Sequence, residues 1–150
     1  MQKYFREKLH KGLTQEIKVK KLLVKKKSFF QKIEIFDSYI YGRVLALDNV
    51  VQVTEKDENA YSEMLVHPLV QLLEKKPTKV LIVGGGDGAV AKELLKYKFI
   101  KKIDLVDIDK EVVNLSKRYL IKINDNSLTN NKLNIFYEDA FSYIKNTKNK

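Results

Sequence analysis

A glycine-rich loop with the sequence Gly-Gly-Gly-Asp-Gly occupies residues 84–88, between an apolar run and a helical pattern. Gly84, Gly86 and Ala89 fit a relaxed G-x-G-x-x-A nucleotide-binding pattern, in which glycines let a ligand approach the backbone over the positive end of a helix. Asp87 lies inside this loop, where its carboxylate repels a pyrophosphate and attracts a positive charge. The loop therefore favours a nucleoside with a sulfonium or ammonium group over NAD. A second interpretation, in which the glycines form only a tight turn, stays open.

Two further carboxylates follow strand-like segments downstream of the loop. Asp107 ends the first segment, and in nucleotide-binding sheets an acidic residue at that place accepts hydrogen bonds from ribose hydroxyls. Asp139 ends the second, where a carboxylate can accept from an adenine amino group, although such a residue taken alone is more often a helix N-cap. Asp109 is expected to cap a helix that starts near Lys110. Because the carboxyl ends of parallel strands meet at one edge, we expect Asp87, Asp107 and Asp139 to line one crevice.

The segment after Pro77 alternates between strand and helix patterns. Apolar runs predict strands, and longer periodic runs between them predict helices. The strands are expected at residues 79–83, 102–107 and 133–137, and the helices at 89–97, 110–120 and 139–145, with an Asn-rich loop at 124–131. This alternation predicts an α/β fold with a Rossmann-like parallel sheet of the class I methyltransferase type, of which the chain carries an incomplete portion.

The N-terminal part of the chain has a different pattern. Short β-strands are predicted over residues 17–54, which indicates a small antiparallel β domain. Asp48 and Asn49 separate two β-rich runs and tolerate positive φ, so they predict a hairpin turn. The chain is therefore expected to consist of a β domain at residues 1–55 and a nucleoside-binding domain at residues 56–150.

A helix is predicted to connect these two parts. Its start is expected at residues 54–57, where acidic groups complement the positive end of the helix dipole. Pro68 is expected to bend it. Its apolar stripe comprises Tyr61, Met64, Leu65, Leu69, Leu72 and Leu73. This stripe supports a helix over the segment.

Composition excludes several classes of protein. A chain of 150 residues with 44% hydrophobic residues suits a folded protein, and the lack of cysteine excludes a disulfide framework, a zinc–thiolate site and thiol catalysis. Without an apolar run of ~18 residues or a secretory signal pattern, a cytoplasmic protein with no membrane partner is expected. The formal charge of +10 raises nucleic acid as a partner, but arginine, the preferred reader of bases and phosphates, is nearly absent, so no nucleic-acid binding is expected.

Several segments resemble the signature of the spermidine synthase (polyamine aminopropyltransferase) family. They are residues 42–58 (GRVLALDNVVQVTEKDE), residues 60–64 (AYSEM), the loop at 84–88 and residues 106–109 (VDID). The resemblance runs in order from about residue 4 to the end of the sequence. It implies transfer of an aminopropyl group from decarboxylated S-adenosylmethionine to a polyamine, with putrescine the first candidate, and release of methylthioadenosine. It also implies a homodimer or higher homo-oligomer with no permanently bound cofactor and no metal.

The resemblance assigns roles to residues on the donor side. Gln31 and Gln52 match glutamines that line the donor site, beside the loop that contains Gly84 and Gly86. Asp107 falls where the family binds the ribose, and it replaces the commoner Glu. The adenine is held at the positions of Asp139 and Ala140, of which Ala140 replaces the commoner Gly. Gln31 as an ordinary polar residue of a strand is an alternative that stays open.

Further roles concern the amine that accepts the aminopropyl group. Asp87 matches the carboxylate that meets the donor's amino group and the polyamine. Tyr61 matches a tyrosine beside the transferred group, with a place in the core as the open alternative. Ser62 stands where bacterial spermidine synthases usually have His and others have Gln, so the acceptor contact differs here.

The resemblance assigns no catalytic residue within the 150 residues. The family's proton acceptor is an Asp in an Asp-x-x-Asp-Pro motif at the end of the next strand, beyond Lys150. We therefore expect a truncated or split member of the family that has little activity alone. The alternatives are an S-adenosylmethionine-dependent methyltransferase-like protein and a non-catalytic nucleoside-binding pseudo-enzyme.

Overall fold

The computed structural model describes residues 3–147, which divide near Glu58 into two compact units. The first unit is an antiparallel sheet with the strand order β1-β2-β3-β4-β5. Its strands are β1 (Tyr4–His10), β2 (Leu13–Lys27), β3 (Lys32–Ser38), β4 (Arg43–Leu47) and β5 (Val50–Thr54). This sheet is the small antiparallel β region that the sequence predicts, although β1 lies outside the predicted strand region of residues 17–54.

Strand β1 was missed because its burial alternates between an apolar and a polar residue. Phe5 and Glu7 are buried, and the other five residues of β1 are exposed. Glu7 Oε2 accepts from the side chain of Gln15 at 2.6 Å, and Oε1 accepts from the N–H of Val51 at 3.2 Å. The second bond joins β1 to β5, so the sheet curls into a half-barrel. Its core comprises Phe5, Ile17, Phe36, Val44 and Ala46.

The predicted hairpin turn between β4 and β5 is confirmed. Asp48 and Asn49 have φ angles of 49° and 65°, as a two-residue turn that matches the twist of the flanking strands requires. After β5, the hydroxyl of Thr54 donates to Asp57 Oδ1 at 2.6 Å. Helix α1 begins directly after this contact, at Glu58.

The second unit is a parallel sheet flanked by helices, as the strand–helix alternation predicts. Its elements are α1 (Glu58–Leu72), β6 (Lys79–Val83), α2 (Ala89–Leu95), β7 (Lys102–Val106), α3 (Lys110–Tyr119), α4 (Ile121–Asn124), a 3-10 turn (Ser127–Thr129), β8 (Leu133–Phe136) and α5 (Ala140–Asn146). The strands pair in the order β6-β7-β8. Among residues 3–147, no helix is long and apolar enough to cross a membrane.

The predicted helix is present as α1, but its stripe of larger apolar residues does not face the core. Val66 and Val70 pack into the core together with Ile82, Ile103 and Leu105 of the sheet, whereas the larger apolar residues of the predicted stripe are exposed. Their exposed fractions run from 39% to 81% at Tyr61, Met64, Leu65, Leu69, Leu72 and Leu73. Val66 and Val70 are four residues apart and therefore lie on one face of the helix. The sequence pattern did not single them out, because the larger apolar side chains of the stripe dominate it. Pro68 lies inside α1 and does not end it.

The Asn-rich segment at residues 124–131 is also more ordered than the predicted loop. Asn124 ends α4, and Ser127–Thr129 form a 3-10 turn. Asn124, Ser127 and Leu128 are buried. The hydrogen bonds that these side chains make explain their order, and they lead to the glycine-rich loop.

Candidate functional site

The glycine-rich loop connects the end of β6 to the start of α2. The N–H of Gly84 donates to the carbonyl of Val106 at 2.8 Å, which keeps the start of the loop in register with β7. The N–H of Gly88 donates back to the carbonyl of Gly85 at 2.9 Å, which closes the turn. Gly84 has a φ of 75°, and a Cβ atom there would meet no atom within 4 Å. The backbone at Gly84 therefore borders open space that a ligand can enter.

Asp107 holds the middle of this loop. Its Oδ2 accepts from the N–H of Gly86 at 2.9 Å, and its Oδ1 accepts from the N–H of Asp109 at 2.8 Å. A Cβ atom at Gly86 would lie 2.6 Å from Oδ2, so only glycine permits this approach. Each carboxylate oxygen has a second lone pair, which leaves Asp107 able to accept from a ligand hydroxyl.

The surroundings of Asp107 make its ionised form less favourable than that of an ordinary aspartate. Burial raises the pKa of Asp107, the charge of Asp109 raises it further, and the backbone hydrogen bonds from Asp109 and Gly86 only partly oppose this shift. Asp109 itself caps α3, because its Oδ1 accepts from the N–H of Glu111 at 3.0 Å. The predicted capping role of Asp109 is thus confirmed. Its second effect, on Asp107, was not predicted.

Asp87 lies where the loop turns into α2. Its Oδ1 accepts from the N–H of Ala89 at 2.8 Å, and the side chain is half-buried. A carboxylate is well matched to the positive end of a helix. The Asp87 carboxylate thereby adds a negative charge to a glycine-rich loop that would otherwise suit a phosphate group.

Two buried polar side chains hold the loop from behind, and sequence reasoning missed both. Asn124 Nδ2 donates to the carbonyl of Asp87 at 3.0 Å, and the Ser127 hydroxyl donates to the carbonyl of Gly88 at 2.7 Å. Both donors come from the segment predicted to be an Asn-rich loop. The one available signal was a concentration of side chains that can bond to backbone groups, which is equally typical of ordinary turns.

Asp139 and Ala140 lie at the end of β8, where the chain enters α5. Asp139 is exposed and its Oδ1 accepts from the N–H of Ser142 at 2.9 Å, so it is a helix N-cap. Ala140, half-buried, is the first residue of α5. Tyr137 was not predicted. Burial and the negative charge of Asp107 raise its pKa. Asp107 and Tyr137 directly follow Val106 and Phe136, which pair between β7 and β8.

Tyr61 and Ser62 are adjacent on α1 but differ in burial. Tyr61 is 72% exposed, so it is not a core residue of the described part of the chain. Ser62 is fully buried. The two positions therefore offer a large accessible aromatic ring and a small enclosed hydroxyl.

The two glutamines lie in the first unit. Gln31 directly precedes β3 and is half-buried; its backbone N–H and carbonyl both bond to the Ser28 hydroxyl, at 3.1 and 3.2 Å. Gln52, exposed on β5, donates from Nε2 to the carbonyl of Val50 at 3.2 Å. All the other candidate residues belong to the second unit.

A cluster of Glu63, His67 and Glu93 resembles a metal site in residue type, with ligand atoms within 4.8 Å of one another. Its contacts are those of an ion-pair network. His67 Nε2 donates to Glu93 Oε2 at 2.9 Å, and Nδ1 lies 2.7 Å from the Tyr97 hydroxyl. Lys96 and Lys92 also pair with the buried Glu93 carboxylate. Two ammonium groups beside the Glu93 carboxylate disfavour binding of a metal cation there. The bond between His67 of α1 and Glu93 of α2 instead links the two helices.

The parallel sheet, its glycine-rich loop and the acidic residues at its strand ends define a Rossmann-like α/β protein of the class I methyltransferase type. Residues 58–150 match the family described as "Spermine/spermidine synthase domain", and residues 3–55 match the "Spermidine synthase tetramerisation domain". The chain belongs to the spermine/spermidine synthase family.

Individual relatives agree with this assignment. The polyamine aminopropyltransferase of Hydrogenobaculum sp. is 46% identical over 131 residues, which cover 87% of this chain and 46% of the relative. That of Thermoanaerobacter sp. is 42% identical over 150 residues, or 99% of this chain and 53% of the relative.

Solved structures give the same result. The crystal structure of spermidine synthase from Thermotoga maritima superposes with a TM-score of 0.92 at 31% identity, over 98% of this chain and 51% of that one. A spermidine synthase in complex with the transition state analogue AdoDATO gives the same TM-score, identity and coverage. The chain thus spans about half the length of the curated relatives and solved structures that it matches.

Proposed function

We propose that this chain carries the nucleoside-binding half of a polyamine aminopropyltransferase. The reaction transfers the aminopropyl group of decarboxylated S-adenosylmethionine to an amine such as putrescine and releases methylthioadenosine. The observation that carries this proposal is the glycine-rich loop, in which Asp87 adds a negative charge and Asp107 fixes Gly86. Membership of the spermine/spermidine synthase family supports the same chemistry.

The nucleoside is assigned to the ends of β6, β7 and β8. Asp107 accepts from the ribose hydroxyls, while Gly84 and Gly86 allow the ligand to approach the loop backbone. Asp139 and Ala140 hold the adenine. Asp139 Oδ1 bonds to Ser142, so its second oxygen is assigned to the adenine amino group. In the first unit, Gln31 and Gln52 are assigned to the donor.

The charged end of the donor and the amine acceptor are assigned to Asp87, Tyr61 and Ser62. The donor carries a sulfonium and an ammonium group, and Asp87 stabilises this positive charge. Tyr61 offers its accessible ring beside the transferred group. Ser62 is a smaller side chain than the His or Gln found at this position in relatives, so the acceptor contact is expected to differ.

The transfer is an in-line displacement in which the amine attacks the carbon next to the sulfonium. The C–S bond breaks as the C–N bond forms, and the electron pair of the broken bond stays on sulfur as methylthioadenosine leaves. The amine has a pKa of about 10, by analogy with Lys, and must lose a proton before it attacks. The proton acceptor is assigned to the half of the relatives that this chain does not span. The residues of this chain bind and orient the donor for the attack.

Oligomerisation is proposed on separate grounds. Residues 3–55 match a tetramerisation domain, which supports a homodimer or a higher homo-oligomer formed through the β-strand unit. Membership of the spermine/spermidine synthase family supports a cytoplasmic protein.

The substitution Asp87→Asn tests the proposed function. Decarboxylated S-adenosylmethionine is cationic, whereas methylthioadenosine has the same nucleoside without the charges. Removal of the loop charge should weaken binding of the cationic donor about tenfold, or about 1.4 kcal/mol, and change binding of methylthioadenosine little. Isothermal titration calorimetry measures both.

Asp125→Asn is the matched control, because Asp125 is exposed and follows α4. It should leave both affinities unchanged. Equal weakening of both ligands by Asp87→Asn, or no weakening of either, would contradict the assigned role of the loop charge.

A further inference from the structure

The side chain of Asn124 holds three backbone groups behind the glycine-rich loop. Its Nδ2 donates to the carbonyl of Asp87 at 3.0 Å and to the carbonyl of Ser116 in α3 at 3.2 Å. Its Oδ1 accepts from the N–H of Asn126 at 3.1 Å. An amide nitrogen carries two donor hydrogens, which match these two carbonyls. Asn124 therefore links the loop to α3 and to the turn that follows α4.

Ser127 holds the next carbonyl of the loop. Its hydroxyl donates to the carbonyl of Gly88 at 2.7 Å, and the N–H of Lys92 in α2 donates to the same oxygen at 3.0 Å. We name the side chains of Asn124 and Ser127 the loop anchor. Because both come from one short segment, the loop anchor fixes two successive carbonyls of the loop, those of Asp87 and Gly88.

The backbone of this segment brings both side chains to the loop. Asp125 and Asn126 lie between them and have φ angles of 46° and 59°. Aspartate and asparagine adopt this left-handed conformation more readily than most residues. The bond from the N–H of Asn126 to Asn124 closes the turn. The loop anchor is therefore held in place by its own turn.

The carboxylate of Asp87 takes its direction from the backbone that the loop anchor holds. Asp87 Oδ1 accepts from the N–H of Ala89, two residues along the chain, at 2.8 Å. Such a local bond closes a ring that contains the side chain and the two peptide groups that follow it. The carbonyls of these two peptide groups are those that the loop anchor fixes. A rotation of either peptide group would therefore move the carboxylate.

The chemistry of the loop anchor also favours a role in orientation. An apolar side chain behind the loop could fill the same space without the cost of burying an amide and a hydroxyl. Hydrogen bonds are directional, so they fix the angle of a carbonyl as well as its position. Asn124 and Ser127 are 1% and 2% exposed, and each acts on the loop through its backbone. The loop anchor is therefore suited to orient Asp87 from behind.

We propose that Asn124 and Ser127 are positioning residues for the Asp87 carboxylate. They orient its negative charge toward the sulfonium and ammonium groups of the donor, and they thereby set the preference of the site for a cationic nucleoside over an uncharged one. The attraction between two charges falls as their distance grows, so a carboxylate that turns away stabilises the donor less. This inference rests on the proposed role of Asp87 and extends it to two residues behind the loop.

Calorimetry with two nucleosides tests the role of the loop anchor. In Asn124→Ala, affinity for decarboxylated S-adenosylmethionine should fall about fivefold, less than in Asp87→Asn, because the charge is displaced and not removed. Affinity for methylthioadenosine, which lacks the positive charges, should change less than about twofold. A loop anchor that only stabilises the fold would change both affinities by the same factor.

A double-mutant cycle shows whether Asn124 acts through Asp87. In the Asp87→Asn background, Asn124→Ala should lower the affinity for the cationic donor less than about twofold, because the charge that Asn124 orients is already absent. Equal effects of Asn124→Ala in both backgrounds would overturn the positioning role.

The same cycle separates this inference from the proposed function. If Asp87→Asn changes the preference between the two nucleosides but Asn124→Ala does not, the positioning role is overturned and the proposed function stands. If Asp87→Asn leaves the preference unchanged, the proposed function fails and the positioning role fails with it.

Hydrogen exchange tests the loop anchor without a ligand. The amide of Ala89 donates to Asp87 Oδ1, so it should exchange faster in Asn124→Ala than in the unchanged chain. Unchanged exchange at Ala89 would show that the carboxylate keeps its place without the loop anchor, and it would overturn the proposal.

Ser127→Ala keeps the test available if Asn124→Ala does not fold. It removes one bond to the carbonyl of Gly88, while the N–H of Lys92 still donates to that oxygen. The preference between nucleosides and the exchange at Ala89 should therefore shift in the same direction as in Asn124→Ala, but less. No shift in Ser127→Ala would overturn the role of Ser127.

Ser116→Ala is the matched control. The Ser116 hydroxyl is buried and has no hydrogen-bond partner within residues 3–147, whereas Asn124 bonds to the backbone carbonyl of Ser116. Ser116→Ala should therefore leave the preference between nucleosides and the exchange at Ala89 unchanged. Shifts as large as those of Asn124→Ala would show that any change behind the loop has this effect, and they would overturn the proposal.

Discussion

Gly88 packs directly against Leu128: a Cβ atom at Gly88 would lie 2.7 Å from Leu128 Cγ. It would also lie 2.8 Å from Asn124 Cβ and 2.8 Å from the Ser127 hydroxyl oxygen. The glycine-rich loop therefore has two sides. Its back is filled by the segment after α4, and its front at Gly84 is open.

The two sides predict different effects for the same substitution. Gly84 and Gly88 both have positive φ, at 75° and 86°, so an alanine costs about 1–2 kcal/mol in backbone strain at either position. Gly88→Ala adds overpacking of about 1–3 kcal/mol. Urea unfolding should show Gly88→Ala to be clearly less stable than Gly84→Ala. Equal stabilities would mean that Leu128 does not pack against the loop.

The raised pKa of Asp107 predicts how nucleoside binding depends on pH. A ribose hydroxyl donates to the ionised carboxylate, so binding favours the form without the proton. Affinity for methylthioadenosine should therefore fall as the pH is lowered through the raised pKa, beginning at a higher pH than an ordinary aspartate would show. Calorimetry over a pH series measures this dependence.

Substitution of Asp107 should remove the pH dependence. Asp107→Asn should bind methylthioadenosine about tenfold more weakly near neutral pH, a loss of about 1.4 kcal/mol, and its affinity should change little in acid. Asp104→Asn is the matched control on β7, because Asp104 contacts Asn134 and Tyr143 instead of the loop. An unchanged pH profile in Asp107→Asn would remove Asp107 from the ribose site.

The ion-pair network of Glu93 predicts a stability effect that disappears in acid. Burial raises the pKa of Glu93, but the hydrogen bond and charge of Lys96, the charge of Lys92 and the hydrogen bond of His67 together lower it below its ordinary value. The unfolded chain then binds the proton more readily. The stability that Glu93 contributes is therefore present above its ordinary pKa and is lost as the pH falls through the lowered one.

Glu93→Gln should cost about 1–3 kcal/mol of unfolding free energy near neutral pH. The difference from the unchanged chain should shrink at about pH 3, which is below the ordinary pKa of Glu. Glu63→Gln is the control, because Glu63 is exposed in the same cluster, and it should have little effect at either pH. A Glu93→Gln deficit that is the same at both pH values would show that charge is not its cause.

The chain by itself is expected to turn over slowly. It spans about half the length of its relatives, and the resemblance places the proton acceptor in the other half. A coupled assay for methylthioadenosine release, with decarboxylated S-adenosylmethionine and putrescine, should detect little product. Addition of the second half of the Hydrogenobaculum enzyme should raise the rate. Normal turnover by the isolated chain would show that its own residues supply the base.

Local signals predicted the features that depend on neighbouring residues. Asp48 and Asn49 form the predicted turn because their own side chains tolerate positive φ. Asp109 caps α3 as predicted because it bonds two residues along the chain. The strands β6, β7 and β8 appear close to their predicted bounds, since continuous apolar runs are typical of a parallel sheet.

Features that depend on distant contacts were not predictable in this way. Strand β1 was missed because Glu7 points inward and bonds to Val51, 44 residues away. Asn124 and Ser127 were placed in a loop because their partners, Asp87 and Gly88, lie more than 35 residues earlier. A sequence pattern shows the types of the side chains. The roles of Glu7, Asn124 and Ser127 depend instead on which distant backbone groups the fold places within hydrogen-bond distance.

The ligand class of the glycine-rich loop is tested most directly by calorimetry of the unchanged chain with two ligands, decarboxylated S-adenosylmethionine and NADH. The negative charge of Asp87 within the loop predicts measurable binding of the cationic nucleoside and at least about tenfold weaker binding of the dinucleotide. Tight binding of NADH with no heat from the cationic nucleoside would show that Asp87 does not select a positively charged ligand.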